Sequence, residues 1–344
     1  MSASPLRALR VRAISDHPRA MEIEDSRRRR AEHRRALRRR RVGAGSALLA
    51  LALVAVAVAL LLGSGGTSKP ARTATVASHR AARVKASPSS GVQRTSGGGV
   101  ATGRPGTQSV PILMYHVIAP PPAGAPFPGL YVDPEEFAAQ MNALKRAGWT
   151  AVTLDELAAY WRSGISLPHG KPIVVSFDNG YQSQYTRALP ILRKLGWVGD
   201  ENIQLTGLPP SQGGLGDDEI RGLVKSGWEL DTQGISHADL ITLDSRQLHE
   251  QVASSRATIQ RRFHVPVDWF CYPSGHYDAT VIAAVKAAGY KGSTTVVPGW
   301  AEPSEDPYRL HRLRVLGRTS PTALLELIAA TRDDAPAPAS YDGT

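Results

Sequence analysis

The sequence predicts an α/β fold, a parallel sheet closed most simply into a (β/α) barrel and preceded by one transmembrane helix. Three observations predict it. Short apolar runs alternate with helix-period segments from about residue 109 to residue 332, the pattern of strands joined by crossover helices. Residues 42–66 form an uncharged run centred on Leu, Ala and Val, long enough to cross roughly 30 Å of hydrocarbon at about 1.5 Å per residue. The apolar run Ile173-Val174-Val175 stops at Ser176-Phe177-Asp178-Asn179-Gly180-Tyr181. That places a carboxylate and an amide at the end of a buried strand, where parallel α/β sheets keep their chemistry.

Taken in order, residues 110–115 read as a buried strand and 134–147 as a helix capped by Asp133. Residues 151–154 form a short strand, with Asp155 capping a helix to residue 163. The strand at 171–177 carries the Asp178 motif at its end and is followed by a helix over 183–195. Then come a helix at 217–226, a strand at 228–231, a helix at 245–263, a strand at 269–272 and a helix at 279–288. Residues 292–295 and 310–316 are the last strands, and 322–330 the closing helix. No internal repeat is evident.

The termini differ in composition from this domain. Residues 1–41 hold fourteen Arg and no Lys against five acidic residues, so +9 of the net +11 sits there. Arg38-Arg39-Arg40-Arg41 immediately precedes the apolar run, and the positive-inside rule then puts the basic tail in the cytoplasm and the domain outside the cell membrane. A secretory signal is the competing reading of the run, but its leading segment is long for one. Basic arms also bind nucleic acid, yet a position against a membrane span favours topology, and no nucleic-acid partner is expected. Residues 67–108 are rich in Ser, Gly, Thr and Arg and read as a disordered stalk, as do the Ala/Pro/Asp-rich residues 333–344 as a disordered tail. The single cysteine, Cys271, rules out an intramolecular disulfide and reads as a small buried apolar residue.

Five pieces carry the chemistry: Pro111-Ile112-Leu113-Met114-Tyr115-His116; Val175 to Tyr181 with Leu189-Pro190-Ile191-Leu192; Gly227-Trp228-Glu229-Leu230 through Ser236-His237; Phe270-Cys271-Tyr272-Pro273-Ser274-Gly275; and Leu310-His311-Arg312-Leu313-Arg314-Val315. In this order they resemble the polysaccharide deacetylases, carbohydrate esterase family 4, with the chitooligosaccharide deacetylase homology domain. The resemblance implies a distorted (β/α) barrel and a divalent, zinc-like metal that assists hydrolysis of an N-acetyl group on an envelope polysaccharide or peptidoglycan.

It also assigns positions. Asp178 falls on the general base, and Asn179 and Gln233, with His237, fall on the metal ligands, where the family has Asp, His and His. Ser274 falls on the backbone donor to the oxyanion. Cys271 falls on an Arg that orients the base, so that contact is expected to be lost. His311 is the candidate general acid, and Tyr181 and Trp300 are candidate sugar-stacking residues. His116 and His276 are expected on the loop face.

Two amides in a zinc site weaken it, because carboxylate and imidazole are the donors zinc takes, whereas neutral amide oxygens suit harder ions. The sequence therefore supports two readings. One is a membrane-anchored deacetylase of envelope glycans. The other is a catalytically impaired relative that binds glycan or acts as a scaffold, with no metal at all.

Overall fold

The computed structural model describes residues 101, 103–208, 213–332 and 336–343. The expected basic tail, the transmembrane segment at 42–66 and all but the end of the stalk lie outside the described residues. Among the described residues no helix is long and apolar enough to cross a membrane.

Eight strands form one curled parallel sheet: β1 Ile112–Tyr115, β2 Trp149–Ala151, β3 Lys171–Asn179, β4 Asp200–Ile203, β5 Glu229–Thr232, β6 Trp269–Cys271, β7 Gly292–Thr294 and β8 Leu313–Arg314. Their order is β7-β6-β5-β4-β3-β1-β8, with β2 alongside the first residues of β3. The expected barrel is only half closed. Strand β7 meets the segment leading into β8 through one bridge, Thr294 to Leu310, rather than a ladder. Helices cover the convex face: α1 Pro134–Arg146, α2 Leu154–Ser163, α3 Leu189–Lys194, α4 Asp217–Lys225, α5 Ser245–His249, α6 Ser255–Phe263, α7 Ala279–Ala287 and α8 Pro321–Ala330.

Alternation along the strands sorts the side chains. Leu113, Tyr115, Ile173, Val175 and Phe177 point outward into one apolar cluster beneath α1, α3 and α8, and Leu230, Phe270 and Tyr290 belong to a second. Tyr115, Phe137, Phe177 and Trp228 stack or meet edge to face within the first, at centroid distances of 4.9 to 5.9 Å. Ile112, Val174, Trp269 and Leu310 point inward and plug the base of the half-barrel. Above that plug the interior is polar.

Several elements depart from the sequence expectation. β4 has no counterpart in it, because Asp200-Glu201-Asn202 does not read as a strand, yet all three are fully buried. β3 runs two residues further than expected, so Asp178 and Asn179 belong to the strand itself. The cap of α2 is Thr153 and not Asp155. Thr153 Oγ1 accepts the Glu156 N–H at 3.2 Å while Glu156 Oε2 accepts the Thr153 N–H at 3.0 Å, a capping box.

The ends expected to be disordered hold ordered contacts where they are described. Gly106 N–H donates to Tyr160 O, and Gln108 O accepts the Trp161 indole N–H. Tyr341 pairs with Tyr277 through two backbone hydrogen bonds of 2.8 Å, and Tyr277 donates its hydroxyl to Pro338 O. The stalk end is held through backbone groups that meet α2, and the tail through Tyr341, neither of which composition reveals. Removing the cap by Thr153→Ala is expected to lower unfolding free energy by about 1 kcal/mol, read as a shift in urea midpoint at unchanged slope.

Candidate functional site

A parallel sheet delivers all its strand ends to one rim, and here that rim gathers His116 after β1, Asp178 and Asn179 on β3, Gln204 after β4, Gln233 after β5 and Cys271 on β6. His237 lies in the loop after β5, close enough for its imidazole to feel both Asp178 and His116. Among the described residues, three of the five non-glycine positions with positive φ are at this rim: Asn179 at 79°, His237 at 53° and Ser274 at 57°. Such backbone costs free energy and is held where side chains must be aimed.

Asp178 is the centre of the rim, and Arg312 defines it. The guanidinium, buried to 1% exposure, approaches from the segment entering β8. Nη1 donates to Asp178 Oδ1 at 2.7 Å and Nη2 to Asp178 Oδ2 at 2.9 Å, a two-pronged ion pair. Its other donors reach Ser176 Oγ at 3.2 Å, Thr295 O at 2.7 Å and Cys271 Sγ at 3.2 Å, so all five find acceptors. Asp178 Oδ1 also accepts Asn202 Nδ2 at 3.0 Å. Burial alone raises the Asp178 pKa; the Arg312 charge and hydrogen bonds more than offset it, and the carboxyl ends at about 2.

The expected loss of the arginine contact is therefore corrected. Cys271 itself supplies no charge, but Arg312 brings a guanidinium to the same carboxylate from another strand. Nor is Cys271 a merely apolar filler, since its Sγ lies 3.5 Å from Asp178 Oδ2. Burial pushes its thiol well up, away from thiolate chemistry. Sequence reasoning passed over Arg312 in favour of its neighbour. The usable signal was alternation: Leu313 pairs with the outward Leu113, so residue 312 must face inward, where a cation needs a carboxylate.

The remaining candidates divide. Asn179 donates Nδ2 to Gln204 Oε1 at 3.0 Å, and Gln233 is buried with its Oε1 unpartnered. His116 Nε2 lies 3.9 Å from Asp178 Oδ2, and burial, overriding the pull of Asp178, takes its pKa to about 4; burial likewise lowers His237. Both imidazoles are thus neutral at pH 7. Tyr181 is half-buried beside Tyr131 and Asp178, and burial raises its hydroxyl to about 12. Ser274 lies in the turn leaving β6 at the same rim. His276 is bound at Nδ1 to Asp239 Oδ1, 3.0 Å away.

His311 and Trp300 are not part of this group. His311 neighbours the inward Arg312 but faces away from it, with Nδ1 2.6 Å from Glu305 Oε2. Trp300 donates its indole N–H to Ile328 O and packs on Trp149 at the start of β2. Both line a separate cavity of about 310 Å³ with Glu305, Arg309 and Arg332. Alternation sends His311 outward, and the apolar edge of α8 takes Trp300, so neither acid catalysis nor sugar stacking beside Asp178 falls to them.

The rim does not fit a zinc-like ion. At the positions assigned to ligands it offers one imidazole, His237, and two neutral amides, Asn179 and Gln233; His116 adds a second imidazole, 3.9 Å from Asp178, whose carboxylate is already neutralised by Arg312. Among the described residues, the one set of three His, Cys, Asp or Glu side chains whose ligand atoms lie within 4.8 Å of one another is Asp200, Glu229 and Asp231, deeper in the sheet.

Residues 167–293 match the family model described as polysaccharide deacetylase. YxkH of Bacillus subtilis (strain 168), a protein assigned to the polysaccharide deacetylases, is 30% identical over 207 residues, 60% of this chain and 71% of its own length. The chain belongs to the polysaccharide deacetylase family. Among solved members, the Streptococcus pyogenes deacetylase PplD in complex with acetate superposes with a TM-score of 0.59 at 25% identity, over 64% of this chain and 99% of the other. The polysaccharide deacetylase BA0330 of Bacillus anthracis does so with 0.57 at 28% identity, over 64% and 69%. A polysaccharide deacetylase-like function is thus supported. Within this family fold, Arg312→Met is expected to destabilise the domain by about 3–5 kcal/mol at pH 7, by stranding the Asp178 carboxylate, and Asp178→Asn added to it to recover part of the loss. The sign with pH follows from the lowered Asp178 pKa. Its stabilisation is complete above about pH 4 and vanishes as pH falls through 2, so the penalty of Arg312→Met shrinks in acid.

Proposed function

We propose that the domain engages an N-acetylated glycan of the cell envelope at the Asp178 rim, and that it is a catalytically impaired member of its family. The observation that carries this reading is the donor set: the positions that the resemblance assigns to metal ligands hold the amides Asn179 and Gln233, and the Asn179 amide is spent on Gln204. Replacing inner ligands costs a metal site at least as much as outer-shell changes, which already weaken affinity by roughly 10- to 100-fold.

What supports the glycan is similarity. A 58-residue stretch, 17% of this chain, is 41% identical to a poly-β-1,6-N-acetyl-D-glucosamine N-deacetylase of Escherichia coli (strain K12), though it covers only 8% of that protein. The location rests on the sequence: the uncharged run at 42–66 behind Arg38-Arg39-Arg40-Arg41 would hold the domain outside the cytoplasmic membrane, N-terminus inward.

The test is acetate release from N-acetylated chitooligosaccharides and peptidoglycan fragments, with zinc present. Native protein is expected to release no more than Asp178→Asn, and to bind these oligosaccharides equally with and without EDTA. Asn179→Asp combined with Gln233→His is expected to gain zinc affinity by a factor of about 100 or more and to gain acetate release with it. Chelator-sensitive turnover by the native protein would overturn the reading.

A further inference from the structure

Three carboxyl side chains meet inside the half-barrel: Asp200 and Glu229 lie one layer below Asp178, and Asp231 is level with it in register. Asp200 on β4 pairs in register with Glu229 on β5, and Asn202 with Asp231; alternation turns all four toward the interior, in the same sense as Asp178. Asp200, Asn202 and Asp231 have no exposed surface. A ligand oxygen from each of Asp200, Glu229 and Asp231 lies within 4.8 Å of those from the other two.

Each carboxyl is held by one oxygen and free at the other. Asp200 Oδ1 accepts the Leu154 N–H at 2.9 Å and Glu229 Oε2 the Asp155 N–H at 2.9 Å, both from the first turn of α2. Asp231 Oδ1 accepts the N–H groups of Asp268 and Trp269 at 3.2 and 2.9 Å. The second oxygens, Asp200 Oδ2, Glu229 Oε1 and Asp231 Oδ2, are buried and meet no donor. Fixing one oxygen of a carboxylate through the backbone while leaving the other bare is how outer-shell contacts orient metal ligands.

Asn202 supplies an independent observation. Its Nδ2 is spent on Asp178 on β3, and its register neighbour on the other side is Asp231 on β5. That Oδ1 is likewise buried without a donor. Apart from the Thr153 hydroxyl beside Glu229 and the carboxyls' own shared protons, no donor reaches these oxygens, and the buried cation nearby cannot answer them, because every donor of Arg312 is used elsewhere. Lys291 is bound to Asp155 and Asp268 at the periphery.

We propose that Asp200, Glu229, Asp231 and the Asn202 amide oxygen form a binding site for a hard divalent cation of the calcium, magnesium or manganese class, inside the sheet and separate from the Asp178 rim. All-oxygen donor sets select such ions over zinc. The site fixes α2 and the starts of β4, β5 and β6 to one another, so its occupancy is structural.

The test uses full-length protein stripped with EGTA and then titrated with calcium, magnesium or manganese ions alone, following thermal unfolding and bound metal by elemental analysis. One equivalent of one of these ions is expected to bind by about 1 mM, the upper end for extracellular calcium sites, with a saturable rise in unfolding midpoint. His237→Ala, at the rim, is expected to keep both effects, whereas Asp231→Asn and Glu229→Gln each lose them. The proposal is overturned if the stripped wild-type protein neither binds nor is stabilised by any of the three ions at about 1 mM. It is equally overturned if the ion is lost in His237→Ala, which would place it at the rim.

Discussion

A guanidinium sealed from water must be given five acceptors and one negative charge, and the placement of Arg312 constrains the upper half of this sheet accordingly. Its partners come from separate parts of the chain: Ser176 and Asp178 on β3, Cys271 on β6 and Thr295 just past β7. Breaking any of these contacts leaves a buried donor unpaired, which costs more than the bond itself contributes. The pair therefore acts as a clasp across a half-barrel in which β7 otherwise meets the segment leading into β8 at a single bridge.

The same clasp determines what the rim can do. A carboxylate that neutralises a guanidinium through both oxygens has little left to offer a dication, and the amides of Asn179 and Gln233 add none of the charge that such an ion seeks. Neutral His116 and His237, half-buried Tyr181 and the turn at Ser274 still shape a polar rim at the strand ends. The carboxyl groups that Arg312 does not reach lie further in, at Asp200, Glu229 and Asp231.

The sequence made the alternating architecture legible, along with the gathering of residues 178, 179, 233 and 237 at one rim, because apolar periodicity and strand-end motifs are local signals. It hid β4, since Asp200-Glu201-Asn202 contradicts every strand propensity and is stabilised only by its neighbours on both sides. That conflict between local preference and global position marks the buried oxygen cluster, as such conflicts do at specialised sites. Arg312 was hidden for a different reason. Its partner is 134 residues away, and only the inward register of the strand links them. His311 and Trp300 looked functional by residue type, but type carries no direction, and both face away from Asp178.

The most direct measurement is the ionisation of Asp178 itself, followed by carbon-13 NMR of its carboxyl against the Asp178→Asn spectrum, with and without zinc. A carboxylate clasped by Arg312 stays ionised down to about pH 2 and does not respond to zinc. Titration at or above pH 4, or a zinc-induced shift of that resonance at neutral pH, would contradict the account.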